Sequence, residues 1–329
     1  MKVRSVLVTG GAGYVGAVLV PQLLMDGYRV TVYDTMWIHG DILPRHPALK
    51  VIKGDIRWMN ETDFTGQDAV IHLANISNDP SFDLNPELST DINLNAFEPL
   101  VIMAKSAGVK RFINCSSSSV YGLSENPEVK EDHPLVPMTL YNKFKGLCEP
   151  LLWKHKEGWT CVNIRPATVC GYSPGQRLDL AVNILTNHAV NSDSIKVMGG
   201  AQKRPNLHIQ DMCDAYKLLL EAPHEKIHGE TFNCGGPNHT IMELAELVRK
   251  EVAFMTGKDV QIVVTPTNDQ RSYWINSDKI KDVLGFVPKR TVKHAIRDLV
   301  IAFQSGLLPN PMTDTRYSNV KRLIELGVK

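Results

Sequence analysis

The sequence has no excess of charge of either sign. Its 329 residues include 36 basic and 35 acidic side chains, a formal charge of +1. With no run of like charges, this balance argues against nucleic acid or an anionic membrane surface as the main partner. Cysteine is scarce and unpatterned. The six cysteines, at positions 115, 148, 161, 170, 213 and 234, form no CxxC pair and no Cys/His cluster. Zinc and dithiol chemistry therefore have no support, and no metal site is expected. Scattered cysteines without an evident secretory signal predict a reducing, cytoplasmic setting. A long unbroken apolar run is missing too. Ser5 to Met25 carries no charge, but Gly10, Gly11, Gly13 and Gly16 interrupt it and Pro21 and Gln22 lie within it. That pattern reads as a buried strand, a glycine turn and a packed helix rather than a membrane span or signal peptide.

What is present is an ordinary globular composition, 43% hydrophobic and 22% charged. It suits one large or two modest domains and rules out a disordered or coiled-coil chain. The first half alternates strands and helices. Strands are expected at Val3–Val8, Tyr28–Tyr33, around Val51–Ile52, at Ala69–Leu73, Arg111–Cys115 and Thr160–Ile164. Helices are expected to Met25, over Ile92–Ala107 and over Leu140–His155. Such alternation implies an α/β fold with a parallel sheet and right-handed crossovers. After Pro166 the pattern loosens, with helices expected at Asp211–Glu221, Met242–Met255, Asp278–Leu284 and Val292–Ser305, and a strand at Val260–Val264. This half reads as a smaller substrate-covering lobe. The tail from Asp314 to Leu326 reads as a helix packed on that lobe.

Two constellations carry chemistry. Thr9-Gly10-Gly11-Ala12-Gly13-Tyr14-Val15-Gly16 lies between the first strand and the first helix. Gly10, Gly13 and Gly16 have GxGxxG-type spacing, which lets a pyrophosphate approach the backbone at a helix N-terminus. Alone this is only a tight turn, but here Asp34 ends the second strand. An acid there accepts hydrogen bonds from the adenosine ribose and repels a 2′-phosphate, so NAD is expected rather than NADP. The second constellation is Tyr141 and Lys145, at i and i+4 on one helix face. An ammonium beside a phenol favours proton exchange with a substrate hydroxyl. Ser117, in the Cys115–Gly122 segment after the fifth strand, can meet the tyrosine at one substrate oxygen.

Together these features resemble the extended short-chain dehydrogenase/reductase superfamily, and within it the NAD-dependent epimerase/dehydratase proteins that act on nucleotide sugars. The likeness covers nearly the whole chain. TGGAGYVG matches the fingerprint TGxxGxxG, which places Gly10, Gly13, Tyr14, Val15 and Gly16 against the cofactor. Asp55 and Ile56 match the adenine-contacting segment, and Leu73, Ala74 and Asn75 resemble the HLAA segment beside the cofactor. Asn93 matches the Asn of NVxGT, although Asn95 and Ala96 depart from it. Ser117, Tyr141 and Lys145 match the catalytic set. The resemblance also implies substrate contacts at Asn78, Ser118, Ser119, Thr168, Arg204 and Arg271. It implies a Rossmann-type doubly wound domain over 1–165, to which 204–235 returns. A substrate lobe would comprise 166–203 and 236–329. A homodimer is expected by the same analogy.

Within that family, dehydratases carry Asp-Glu where this chain has Ser118 and Ser119, and other members carry Glu or Cys at the second position. A serine hydroxyl is a poor acid and base near neutrality. Chemistry that needs only Tyr, Ser, Lys and NAD remains, and C4 epimerisation through a transient 4-keto sugar fits it. A net ketoreductase or dehydrogenase, and a non-catalytic NAD-binding partner protein, stay open as alternatives.

Overall fold

The computed structural model describes residues 3–124, 126, 128–267 and 272–328. Its central sheet is built from β1 (Ser5–Thr9), β2 (Arg29–Asp34), β3 (Leu49–Lys53), β4 (Ala69–His72), β5 (Arg111–Cys115) and β6 (Thr160–Pro166). After two strands in a smaller lobe, β7 (Thr168–Cys170) and β8 (Ser194–Met198), come β9 (Lys203–His208) and β10 (Glu230–Cys234), then β11 (Asn238–Thr240) and β12 (Gln261–Thr265). The seven-stranded sheet runs β10-β6-β5-β4-β1-β2-β3, and every pairing in it is parallel. β1 and β4 are fully buried in pattern, as a sheet covered on both faces requires. The strand order reverses between β1 and β4, and a crevice opens there at the carboxyl ends.

The smaller lobe holds a three-stranded sheet, β11-β9-β7, and the two-stranded sheet β12-β8. β9 lies in this lobe, whereas the helix Ile209–Glu221 and β10 return to the central sheet. Pairing of β9 with β7 aligns Thr168 with Asn206.

Three local differences from the sequence reading stand out. The helix expected from Ile92 is divided: a π-turn at Asp91–Asn95 leads into a regular helix at Phe97–Ser106, and the turn aims the buried Asn93 side chain at the Ile76 backbone. The helix Ala181–Ser192 is not expected from the sequence, because the face it buries includes the polar Asn183, Thr186 and Asn187 and so breaks the apolar periodicity. The tail does form a helix, Asn319–Glu325, but it is not confined to the smaller lobe. Leu323 is buried with the central-sheet cluster that includes Ile56, Ile76 and Ile92.

Behind the β5–β6 edge lies a buried polar network. Arg165 Nε and Nη2 donate to Glu149 Oε1 and Oε2 (2.9 and 2.6 Å), and Ser116 Oγ donates to Glu149 Oε1 (2.6 Å). Arg165 Nη1 donates to Tyr121 OH (2.7 Å), which donates to Asn233 Oδ1 (2.7 Å). The two charged side chains are 6% and 5% exposed. Removing one partner of such a pair strands the other. Glu149→Ala is expected to cost about 3–5 kcal/mol, read as a lower urea midpoint. The apolar pair Glu149→Leu with Arg165→Met should recover most of it; an unshifted midpoint for Glu149→Ala refutes the assignment.

His72 generates a pH prediction. Burial, and then the nearby Lys145 charge, push its conjugate acid down from 6.5 to about 3. Its folded value is thus below its unfolded one. The stability it contributes is complete above pH 6.5 and is lost as pH falls from 6.5 towards 3. Between pH 6 and 4, His72→Asn should flatten the dependence of unfolding free energy by about 1.4 kcal/mol per pH unit. Urea titrations at several pH values measure this, and equal slopes would contradict it.

Candidate functional site

A cleft of about 450 Å³ lies at the carboxyl ends of the strands, within the size range of small-molecule sites. Thr9, Asp34, His72 and Cys115, the last residues of β1, β2, β4 and β5, stand at or beside it. Among the residues singled out from the sequence, Gly10, Gly13, Tyr14, Val15, Gly16, Asp34, Asp55, Ile56, Leu73, Ala74 and Asn75 line it. So do Asn78, Ser117, Ser118, Ser119, Tyr141, Lys145, Thr168 and Arg204. Asn93 is not in the lining. It sits behind the wall, where its amide accepts from Ile76 N and donates to Ile76 O, both at 2.9 Å, bracing the Asn75–Ile76 segment. Arg271 falls outside the described residues.

The glycine loop is shaped by close approach. Gly10 has φ +71°, and a Cβ there would stand 2.6 Å from Ala74 N. At Gly16 a Cβ would meet Gly11 O at 2.5 Å. The first helix, Gly16–Met25, therefore starts directly against the loop. Asp34 Oδ1 accepts from Met36 N (2.8 Å) and Oδ2 from Ala12 N (3.0 Å). Burial raises its pKa above the ordinary carboxylate value, and these two bonds oppose that rise. Each oxygen keeps a lone pair for a hydroxyl. Asp55 is held by Arg57, whose Nη2 donates to Oδ2 at 2.8 Å.

The second wall comes from the helix Leu140–Lys154, which begins where Thr139 Oγ1 accepts from Asn142 N (3.3 Å) and donates to Asp79 Oδ1 (2.5 Å). Lys145 is buried, and its Nζ donates to Cys115 O (2.7 Å). In the orientation that satisfies its neighbours, the Asn75 amide accepts from Lys145 Nζ (3.3 Å). The ammonium thus anchors the β5 end and the Asn75 segment. Desolvation in the cleft wall pushes the Tyr141 phenol well above its ordinary value; Cys115 adds to the rise and Arg177 opposes it. Tyr141 is therefore held neutral, as a proton donor and acceptor rather than a standing phenolate. Ser117 Oγ and Ser119 Oγ share a hydrogen bond (2.7 Å), and Ser119 Oγ donates to Asn142 Oδ1 (2.5 Å). Among the described residues, the carboxylates in the lining are Asp34, Asp55 and Asp79.

Several cleft residues were missed from sequence, among them Arg177, Tyr273, His39 and Asn319. Arg177, held by Asp179 and donating to Ser77 Oγ (2.9 Å), lies in a Gly/Pro-rich loop with no motif around it. Tyr273 is buried in the wall. His39 and Asn319 line the cleft, and each leaves a buried atom, His39 Nε2 and Asn319 Oδ1, without a hydrogen-bond partner. A side-chain-free glycine cradle, a carboxylate with spare lone pairs, an orphaned amide oxygen and an orphaned imidazole nitrogen fit a dinucleotide with hydroxyl and amine groups. No helix among the described residues is long and apolar enough to cross a membrane.

Comparison with known proteins agrees with this geometry. The model of the NAD dependent epimerase/dehydratase family matches residues 6–235, more than half of the chain. A UDP-glucose 4-epimerase of Lactobacillus helveticus is 28% identical, with 87% of this chain and 92% of that protein covered. A dTDP-glucose 4,6-dehydratase of Streptomyces niveus is 27% identical, with 92% and 90% covered. Among solved structures, MoeE5 in complex with UDP-glucuronic acid and NAD superposes with a TM-score of 0.81 at 26% identity, covering 92% of this chain and 99% of that one. This chain belongs to the NAD-dependent epimerase/dehydratase family, with NAD as its cofactor.

Proposed function

We propose that the protein is a nucleotide-sugar 4-epimerase. The observation that carries this reading is the side-chain chemistry next to Ser117. Ser118 and Ser119 offer only hydroxyls, and Ser119 is already bonded to Asn142. Elimination needs a second acid and base at the sugar, and neither serine supplies one near neutrality. Of the carboxylates in the lining, Asp34 and Asp55 are held at the cofactor end by backbone N–H groups and Arg57, and Asp79 accepts from Thr139. The relatives include a 4-epimerase and a dehydratase, and the serine pair favours the former.

In this reading Gly10, Gly13, Tyr14, Val15, Gly16, Asp34, Asp55, Ile56, Leu73, Ala74 and Asn75 hold the dinucleotide, with Asn93 bracing their wall. NAD, when bound, supplies a reversible hydride acceptor with a positively charged ring. Tyr141, once it has ionised beside that positive ring, takes the proton from the C4 hydroxyl as a phenolate and later returns it. Ser117 turns its hydroxyl from Ser119 to donate a hydrogen bond to the same oxygen, and Lys145 fixes the end of β5 through Cys115 O. Asn78, Ser118, Ser119, Thr168 and Arg204 border the sugar and its nucleotide, with Arg271 as a further phosphate ligand. Residues 1–165 and 209–235 form the cofactor half, and 166–208, whose β9 pairs with β7 and β11, join 236–329 in the substrate half. Two copies pair through the helices Phe97–Ser106 and Leu140–Lys154, whose outer faces expose Ile102 and Leu147.

The test is NMR of the purified protein with a panel of nucleotide sugars in D2O and no added cofactor. A C4 epimer free of deuterium is expected. Deuterium at C3 or C5, or turnover only after NAD or NADH is supplied, would sink the reading in favour of a keto-sugar epimerase or a net oxidoreductase. Tyr141→Phe should lower kcat by about 10²–10⁴-fold, the usual contribution of a positioned acid/base, and a loss below tenfold would remove Tyr141 from that role.

A further inference from the structure

The C-terminal segment carries no motif, yet it reaches the cofactor half of the cleft. Tyr317 is anchored in an apolar cluster with Leu178, Leu299 and Leu308, and its carbonyl accepts from Leu178 N (2.8 Å). Two residues on, Asn319 N donates to Asp179 Oδ2 (3.2 Å) and Asn319 Nδ2 to Ser77 Oγ (2.9 Å). Arg322 Nε then donates to the carbonyl of Trp37 (3.0 Å), in the loop that follows Asp34. The segment thus ties the substrate half to the loop beside the expected ribose site.

A second segment lies against the glycine loop from the same side. Tyr14 OH donates to Gly171 O and Ser173 Oγ to Tyr14 O, both at 2.7 Å. Gly175 comes so close that a Cβ would stand 2.9 Å from Gly13 O.

Asn319 is 8% exposed and His39 5% exposed, and both line the cleft. Asn319 Oδ1 and His39 Nε2 are buried with no partner. A buried acceptor left unpaired is costly and calls for an explanation. Burial, and then the Arg316 charge, push the His39 conjugate acid down to about 4, so the ring is neutral at pH 7 and, in the tautomer protonated on Nδ1, its unpaired Nε2 can accept. Hydroxyl and amine donors of a dinucleotide are the chemistry that would satisfy both atoms.

We propose that residues 314–325 form a strap over the bound NAD, that Asn319 Oδ1 and His39 Nε2 accept hydrogen bonds from it, and that the strap keeps it in place through many turnovers. The inference rests on the retained-cofactor reading above.

The test follows cofactor release rather than activity. Bound NADH is displaced by excess NAD in a stopped-flow instrument, and its fluorescence gives the dissociation rate. NAD per chain is also counted after gel filtration. Wild-type protein is expected to keep close to one NAD per chain and to release it more slowly than it turns over. Asn319→Ala, His39→Ala and Arg322→Ala should each release it about tenfold faster, the scale of one hydrogen bond. Lys321→Ala, on the exposed side of the same helix, should match wild type. Unchanged thermal unfolding of the point variants separates this from misfolding. Release within twofold of wild type in all three variants, or wild-type release faster than turnover, overturns the strap. Slow release that the variants accelerate, without any C4 epimer, supports the strap and fails the epimerase reading instead. Epimer formation with rapid cofactor exchange does the reverse.

Discussion

Arg165 and Glu149 meet inside the protein with almost no solvent on either, and four pieces of chain are fixed where they meet. Arg165 belongs to β6 and Glu149 to the helix Leu140–Lys154. Ser116, at the end of β5, bonds to the same carboxylate, and Tyr121 bonds to the same guanidinium. Burial opposes the charge on Arg165, yet its bonds to Glu149 and Tyr121 more than offset that and hold it charged. A buried pair of this kind is weak evidence for net stability, because desolvation consumes most of the Coulomb gain. Its consequence here is geometric. It sets the helix that carries Tyr141 and Lys145 against the strand end that carries Ser117, and so fixes the separation of the reacting groups.

Lys145 extends the same logic towards the cofactor side. Its ammonium bonds to Cys115 O and, through the Asn75 amide, to the segment after β4. Asn93 holds that segment from behind at Ile76. The wall facing the glycine loop is therefore hung from side chains of two other helical segments, which is why its position does not depend on the loop's own rigidity. Tyr141, raised by desolvation in this wall, is neutral at rest. A neutral phenol loses its proton readily only when positive charge arrives beside it, so proton transfer is coupled to the site being filled.

Six of the seven central strands were readable, because most are short apolar runs bounded by turn residues and because the parallel arrangement follows from their alternation with helices; β10, Glu230–Cys234, was not, since its sequence ETFNC is mostly polar. The glycine loop, Asp34 and the Tyr141/Lys145 pair were readable because their spacing is dictated by local geometry. What escaped notice depends on contacts distant in sequence. Arg177 reaches the cleft from a loop whose path is set by Tyr14 and Ser173. Asn319 gets there because Tyr317 and Leu323 are buried in two different apolar clusters. No periodicity records either fact. The direction of Lys145 was also hidden: an i,i+4 spacing states that two side chains share a face, not that one ammonium prefers a strand-end carbonyl.

In the reading proposed above, closure of the cofactor end and poverty of acid/base groups at the sugar end belong to one scheme. A catalyst that removes and returns hydrogen at the same carbon finishes each cycle with its cofactor as it began, so sealing that cofactor imposes no cost on turnover. If residues 314–325 strap the cofactor as proposed, a net oxidoreductase would have to break the bonds of Asn319 and Arg322 at every cycle. The sugar, by contrast, must enter, turn over and leave. Its expected contacts at Thr168 and Arg204 lie on the separate sheet formed by β7, β9 and β11. The fastened part of the cleft and the part that has to exchange its contents are thus carried by different strands. That division lets one be tight while the other admits a rotating intermediate.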